Sequence, residues 1–324
     1  MKFSEMPYTR PDAEALKKQM SQLTERLQNA ASYEEARQVF LEKEAASRTV
    51  ETQATLASIR HSIDTRDTFY DGEEKFWNTF GPELEEYEQA WKAAMLDSPF
   101  RKDFSAEYGD LMFLNAEIAR KCFKPEIIPE MQQENDLTQE YEKLLASAQI
   151  PFEGKTYTLS QLTPLKSDPD DARRLAAWQA DAKWSMEHAA ELDELYDKLV
   201  HLRDSMGKKM GYEGYTTLGY YRMNRNCYTK EDVEKFRAAV QKYLVPVADK
   251  ICRKQAERLG KTYPLSFADL ALEFRSGNPC PMGTPDDILA QGMKFYGELS
   301  PETKVFFRTM LDNELLDVLS TEGK

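Results

Sequence analysis

Four tyrosines (Tyr215, Tyr220, Tyr221, Tyr228) and two arginines (Arg222, Arg225) fall within fourteen residues of one segment, Met210 to Tyr228. Tyrosine joins a large apolar ring to a hydroxyl, and arginine presents a planar fork of donors that matches a carboxylate. Together they suit the holding of a peptide backbone or C-terminus. Tyr220, Tyr221, Arg222, Arg225 and Tyr228 are therefore candidate lining residues of a substrate cleft. The same residues also fit a plainer part: a helix start whose rings pack on neighbouring helices and whose arginines neutralise nearby acids. Composition leaves both readings standing.

Other chemistry-bearing patterns stop short. Gly154-Lys155-Thr156 and Gly260-Lys261-Thr262 lack the glycine that a phosphate loop needs five positions before its Gly-Lys, since Gln149 and Gln255 stand there. Gly207, Gly211, Gly214 and Gly219 do not have dinucleotide-binding spacing. Three histidines are present, His61, His188 and His201. His188-Ala-Ala-Glu191 begins an H-x-x-E-H zinc signature, but residue 192 is leucine. On one straight helix His188 and His201 would point about 220° apart, so they would not meet at one metal. They read as histidines on a polar surface or at a helix contact. No serine or cysteine nucleophile has a local signature with a base. The residues alone give no complete catalytic site.

The elements that must position these groups are helices. The chain has 324 residues, with 14 glycines and 15 prolines, and is rich in Glu, Lys, Ala, Leu and Gln. A net charge of −13 argues against nucleic acid as a partner, because that affinity rests on basic side chains neutralising phosphates. No apolar run approaches the length of a membrane span, and the N-terminus lacks the apolar core of a signal peptide. Cys122, Cys227, Cys252 and Cys280 are widely spaced, which reads as reduced thiols of a cytoplasmic protein.

Leu16, Met20, Leu23 and Leu27 form one stripe of a helix that Asp12 is placed to cap. Ser32 and Glu35 match a capping box opening a longer helix toward Arg66. From Asp71 to Asp97, Trp77, Phe80, Leu84, Tyr87, Trp91 and Met95 recur at helical spacing. They predict a core-facing stripe, with the eight acidic residues of that stretch as its wet face. Gly81-Pro82 predicts a kink or a new helix start there. Helices follow at about 105–123 and 125–149, then a small hairpin around Glu153-Gly154 within residues 150–159. A long helix is expected from Asp168-Pro169 to Gly207 or Gly211, and another from Thr229 to Gly260 with a kink at Pro246. Residues 261–283 read as irregular. Thr284-Pro285 and Ser300-Pro301 each start a helix, the last ending near Ser320. The fold class is mainly α with one β-hairpin.

At Met210-Gly-Tyr…Leu-Gly-Tyr-Tyr-Arg-Met-x-Arg-Asn-x-Tyr228 the sequence resembles the oligoendopeptidase F branch of the thimet-oligopeptidase-like zinc peptidases. Phe152 to Leu162, Ser276 to Pro279, Leu299 to Thr303 and Met310 to Leu315 agree with it, in family order. The resemblance implies a helical, two-lobed metallopeptidase whose deep cleft admits short peptides and excludes folded proteins. It implies an N-terminal helical region over 1–185 and the first part of the peptidase catalytic domain over 186–324.

In such enzymes zinc sits on an H-E-x-x-H helix that follows the segment resembling Asn313 to Leu319. These 324 residues contain no such helix, so they are expected to be the N-terminal portion, without catalytic or metal residues of their own. Zinc belongs to the complete enzyme and is not expected on this chain, which should be inactive alone. Its expected partners are short peptides and the missing C-terminal catalytic half, with self-association through uncovered apolar surface in 190–324. Neither nucleic acid nor membrane is expected. The alternative is a non-catalytic helical module that binds peptides or proteins.

Overall fold

The computed structural model describes residues 1–324, and its order of elements follows from where caps and apolar stripes fall. Asp12 accepts the Ala15 N–H and opens α1 (Ala13–Gln28), whose Leu16, Met20, Leu23 and Leu27 are all buried. Ser32 caps α2 (Tyr33–Ile63), but Glu35 reaches past it to the N–H of Ala31 at 2.9 Å, so the box is half as expected. Helix α3 (Thr68–Leu96) packs against both and carries the aromatic stripe. Leu23, Leu27, Val39, Trp91, Met95 and Phe104 form the centre of the largest core.

Pro82 does not break α3. A proline cannot donate to the carbonyl four residues earlier, and Asn135 makes that good by donating to Asn78 O at 3.0 Å. Gln132, on the same helix as Asn135, also donates to α3, at Thr79 O (2.8 Å). The expected wet face is also incomplete. Glu73 is buried, taking a fork from Arg10 (2.7 and 2.9 Å) and the Tyr8 hydroxyl, and these donors hold its carboxyl below the ordinary range.

Gly109, in a positive-φ conformation, divides the next expected helix into α4 (Arg101–Tyr108) and α5 (Leu111–Ala119). Helix α6 (Ile128–Ala146) crosses α3 and leads into strands β1 (Ile150–Phe152) and β2 (Lys155–Tyr157). These pair antiparallel with Ile150 opposite Tyr157, and Glu153 and Gly154 both take positive φ in the turn, as a two-residue hairpin requires. A short α7 (Leu159–Leu162) follows. The single long helix expected next is two, α8 (Asp171–Glu187) and α9 (Ala189–Lys209), parted at His188. Helix α10 (Tyr215–Arg222) packs on α9 and α5.

Thr229 and Asp232 form the capping box of α11 (Lys230–Ala239). One π-helical turn, Val240–Leu244, then places Pro246 in the first turn of α12 (Val245–Leu259), where its missing N–H costs nothing. Thr284 and Ser300 cap α13 (Pro285–Leu299) and α14 (Pro301–Asp312), which pack on each other with Tyr296 and Phe307 stacked at 4.6 Å. The last helix ends at Asp312 rather than near Ser320. Beyond it the chain returns to the N-terminal helices: Phe3 N–H donates to Asn313 O, Thr65 N–H to Gly323 O, and Lys2 pairs with Glu314 at 2.8 Å. No helix is long and apolar enough to cross a membrane. All four cysteines are free.

Candidate functional site

Helix α10 is set by its inward stripe. Leu218 and Gly219 are fully covered, and Leu218 packs with Ile127, Met206 and Met210. Tyr215 and Arg222 complete the same face at helical spacing. Close approach of α10 to α9 depends on Gly207, where a Cβ would come within 2.8 Å of the Tyr215 backbone nitrogen. With that face inward, Thr216, Thr217, Tyr220 and Tyr221 point the other way.

Arg222 therefore does not join the tyrosines. Its guanidinium reaches Glu134 of α6 at 2.8 and 3.2 Å, and Arg203 of α9 takes the same carboxylate at 2.7 Å. Burial works against the charge on Glu134, but the two arginines outweigh it and keep its carboxyl below the usual range. The pair is a joint between α6, α9 and α10.

The end of α10 decides where Arg225 goes. Asn224 takes φ of +52°, its N–H donates to Tyr221 O, and the Arg225 N–H donates to Tyr220 O. This is the Schellman closure of a helix, and it folds the chain back on itself. The Arg225 guanidinium consequently lies 4.2 Å above the Tyr220 ring and 5.6 Å from that of Tyr228. Asn226 donates to Asn115 Oδ1 at 2.7 Å and ties this loop to α5.

Between α5 on one side and α10 with the start of α11 on the other lies a cleft of about 630 Å³. Tyr220, Tyr221, Arg225 and Tyr228 line it; Arg222 does not. Four of the five residues singled out in the sequence thus share one wall. The opposite wall supplies Leu114, Ile118 and Lys121, with the Lys121 ammonium 5.1 Å from the Tyr221 ring. These residues are about a hundred positions away in sequence and carry no local signal. The separation of Arg222 from Tyr220 and Tyr221 was readable, since Tyr215, Leu218 and Arg222 fall on one helical stripe. Cys122 packs against the Leu218 cluster beside the cleft, where burial pushes its thiol up to about 11.

The histidines stay apart. His61 is buried beside Gln139 (3.4 Å) and Asp71 (3.6 Å), and burial lowers its pKa. His188 bonds the Trp184 carbonyl at 2.9 Å and stacks on that indole, while His201 is exposed on α9. No three His, Cys, Asp or Glu side chains come together in a way that could hold a metal ion.

Comparison with known proteins places this arrangement. Residues 3–123 match the peptidase M3 N-terminal domain. The whole chain superposes on a structure named Pz peptidase A with inhibitor 2, at 40% identity and a TM-score of 0.97. It likewise matches a structure named oligoendopeptidase F, at 37% identity and a TM-score of 0.98. Another, named oligoendopeptidase F from Bacillus anthracis str. Ames, matches at 38% identity and 0.97. All of this chain is covered in each case, but only 57%, 57% and 59% of those chains, so it spans somewhat over half of their length. No curated protein sequence matches it.

Proposed function

Because the chain carries the peptidase M3 N-terminal domain and shares the oligoendopeptidase F fold and sequence along its whole length, we propose that it is the peptide-holding part of a cytoplasmic oligoendopeptidase. What carries this is 37–40% identity in matches that cover the whole chain. The aromatic cleft between α5 and α10 supports it: three tyrosines, Arg225 and Lys121 face a space sized for a few residues of extended peptide. The whole enzyme in this reading hydrolyses internal bonds of short peptides.

Zinc supplies the hydrolytic chemistry of the complete enzyme in this reading, but the donors in these residues do not fit it. His61 is enclosed by Gln139 and Asp71, His188 is committed to a backbone carbonyl, and His201 lies on the surface against Asp197 of its own helix. The role proposed for this chain is accordingly to bind and orient peptide, without cleaving it unaided. Apolar side chains left open on α11 to α14, among them Phe236, Ile251, Phe295 and Phe306, support self-association of the isolated chain.

A quenched fluorescent peptide tests the reading. The purified chain should bind it without hydrolysis, and light scattering should report a species larger than a monomer. Chelator-sensitive cleavage by these 324 residues would overturn the proposed division of labour. A chain that binds no short peptide at all would overturn the peptide reading itself.

A further inference from the structure

We infer that the cleft between α5 and α10 seats a peptide carboxylate, with the Arg225 guanidinium as its fork and the Lys121 ammonium as a second cation. This rests on the peptide reading above and narrows it to a ligand chemistry.

The argument is one of charge accounting within the cleft. This is an acidic chain, with 56 carboxylates against 43 basic side chains, and most of its arginines are engaged by acids. Arg225 and Lys121 are exceptions. Neither is in an ion pair; each lies instead against a tyrosine ring, Arg225 on Tyr220 and Lys121 on Tyr221. Two of the three acids of the same cleft are already occupied. Glu117 is held by Arg101 at 2.7 Å, Asp232 by Lys235 at 3.1 Å and by the Thr229 N–H at 3.0 Å. Lys230 lies 3.9 Å from Glu234, and Glu231 alone has no basic side chain paired with it. The cleft therefore presents two open cations, Arg225 and Lys121, against one open anion, Glu231.

The cations are also held in place before any ligand arrives. The helix closure at Asn224 brings Arg225 back over Tyr220, with the Tyr228 ring 5.6 Å away. A guanidinium resting on ring faces keeps its edge donors free, and those donors match the two oxygens of a carboxylate. Less rotamer freedom is then lost on binding than for a free arginine. The Tyr220 and Tyr221 rings and Leu114 offer apolar surface for the residues next to the carboxylate.

The test uses the full 324-residue chain and three forms of acetyl-Ala-Ala-Phe-Ala-Ala: the free acid, the C-terminal amide, and an amide with Glu at the last position. Calorimetric titration should show the free acid binding at least about tenfold more tightly than the plain amide, as expected for charge-assisted hydrogen bonds. Arg225→Gln should abolish the preference for the acid over the amide, and Lys121→Gln should reduce it in part. Raising salt should weaken the acid only. If the Glu-bearing amide matches the free acid, the seat accepts any peptide carboxylate, which upholds the inference. If acid and amide bind alike in native chain and Arg225→Gln, the carboxylate seat is overturned and the peptide reading survives. If none of the three binds, both fall. Arg225 is surface-placed, and an unchanged melting curve for Arg225→Gln confirms that its effect is on binding.

Discussion

Helices α1 to α3 and the pair α13 and α14 are built from the same kind of amphipathic pattern, yet only the first group makes a core. In α1 every residue of the apolar stripe is buried, and α2, α3 and α4 close over it with Val39, Trp91 and Phe104. In α13 and α14 no residue is buried, and Phe295, Leu299, Val305 and Phe306 remain largely open to solvent. Both groups have sound caps and correct spacing. The difference shows that capping and periodicity specify a helix, whereas burial needs a third element on which two helices can close. Two helices bury one seam between them; three enclose a volume.

That contrast can be broken by mutation, starting where the largest effect is expected. Phe104→Ala removes a fully enclosed ring at the centre of the main core and should cost about 3–5 kcal/mol in denaturant unfolding. A loss below about 1 kcal/mol would mean that the core is not closed as described. Next is Glu134→Ala, which leaves Arg203 and Arg222 facing each other without their acid. It should cost about 3 kcal/mol, measured in the same way, because a partly buried charge loses its partner. Gly207→Ala should cost about 1–3 kcal/mol by forcing α9 and α10 apart, and it should also weaken peptide binding in the cleft.

A smaller effect comes from pH. Burial lowers the pKa of His61 in the folded chain, so the unfolded chain takes up its proton first. Stability is then complete above about pH 6.5 and declines as pH falls below it. Thermal melts between pH 7.5 and 5.5 should show the decline, and His61→Asn should flatten it. Asp71, Glu142 and Lys143 face the ring and set the size of the slope. Least of all should come from Phe306→Ala on α14, within about 0.5 kcal/mol of the native chain. A cost comparable to that of Phe104→Ala would show that α14 is covered in solution, and the contrast between the two regions would disappear.

Much of the helical layout was legible because its signals are local. Asp12, Thr229, Thr284 and Ser300 cap where their sequence context placed them, and the hairpin at Glu153-Gly154 follows from its turn residues. What escaped depends on partners distant in the chain. Pro82 is tolerated inside α3 because Asn135 of another helix answers for its missing donor. Glu73 sinks because Arg10 and Tyr8 reach it. The tyrosine wall of the cleft was visible as a cluster, but the facing wall at Leu114 and Lys121 was not. Arg222 was grouped with its neighbours by proximity in sequence, although helical geometry turns it toward Glu134.

The grip of Arg203 and Arg222 on one carboxylate has a mechanical consequence. Any load placed on Tyr220 or Tyr221 travels down α10 to Arg222 and from there into α6 and α9 together, since all three are pinned at a single point. Occupancy of the cleft should therefore be felt as slowed amide exchange along α6, well away from the ligand.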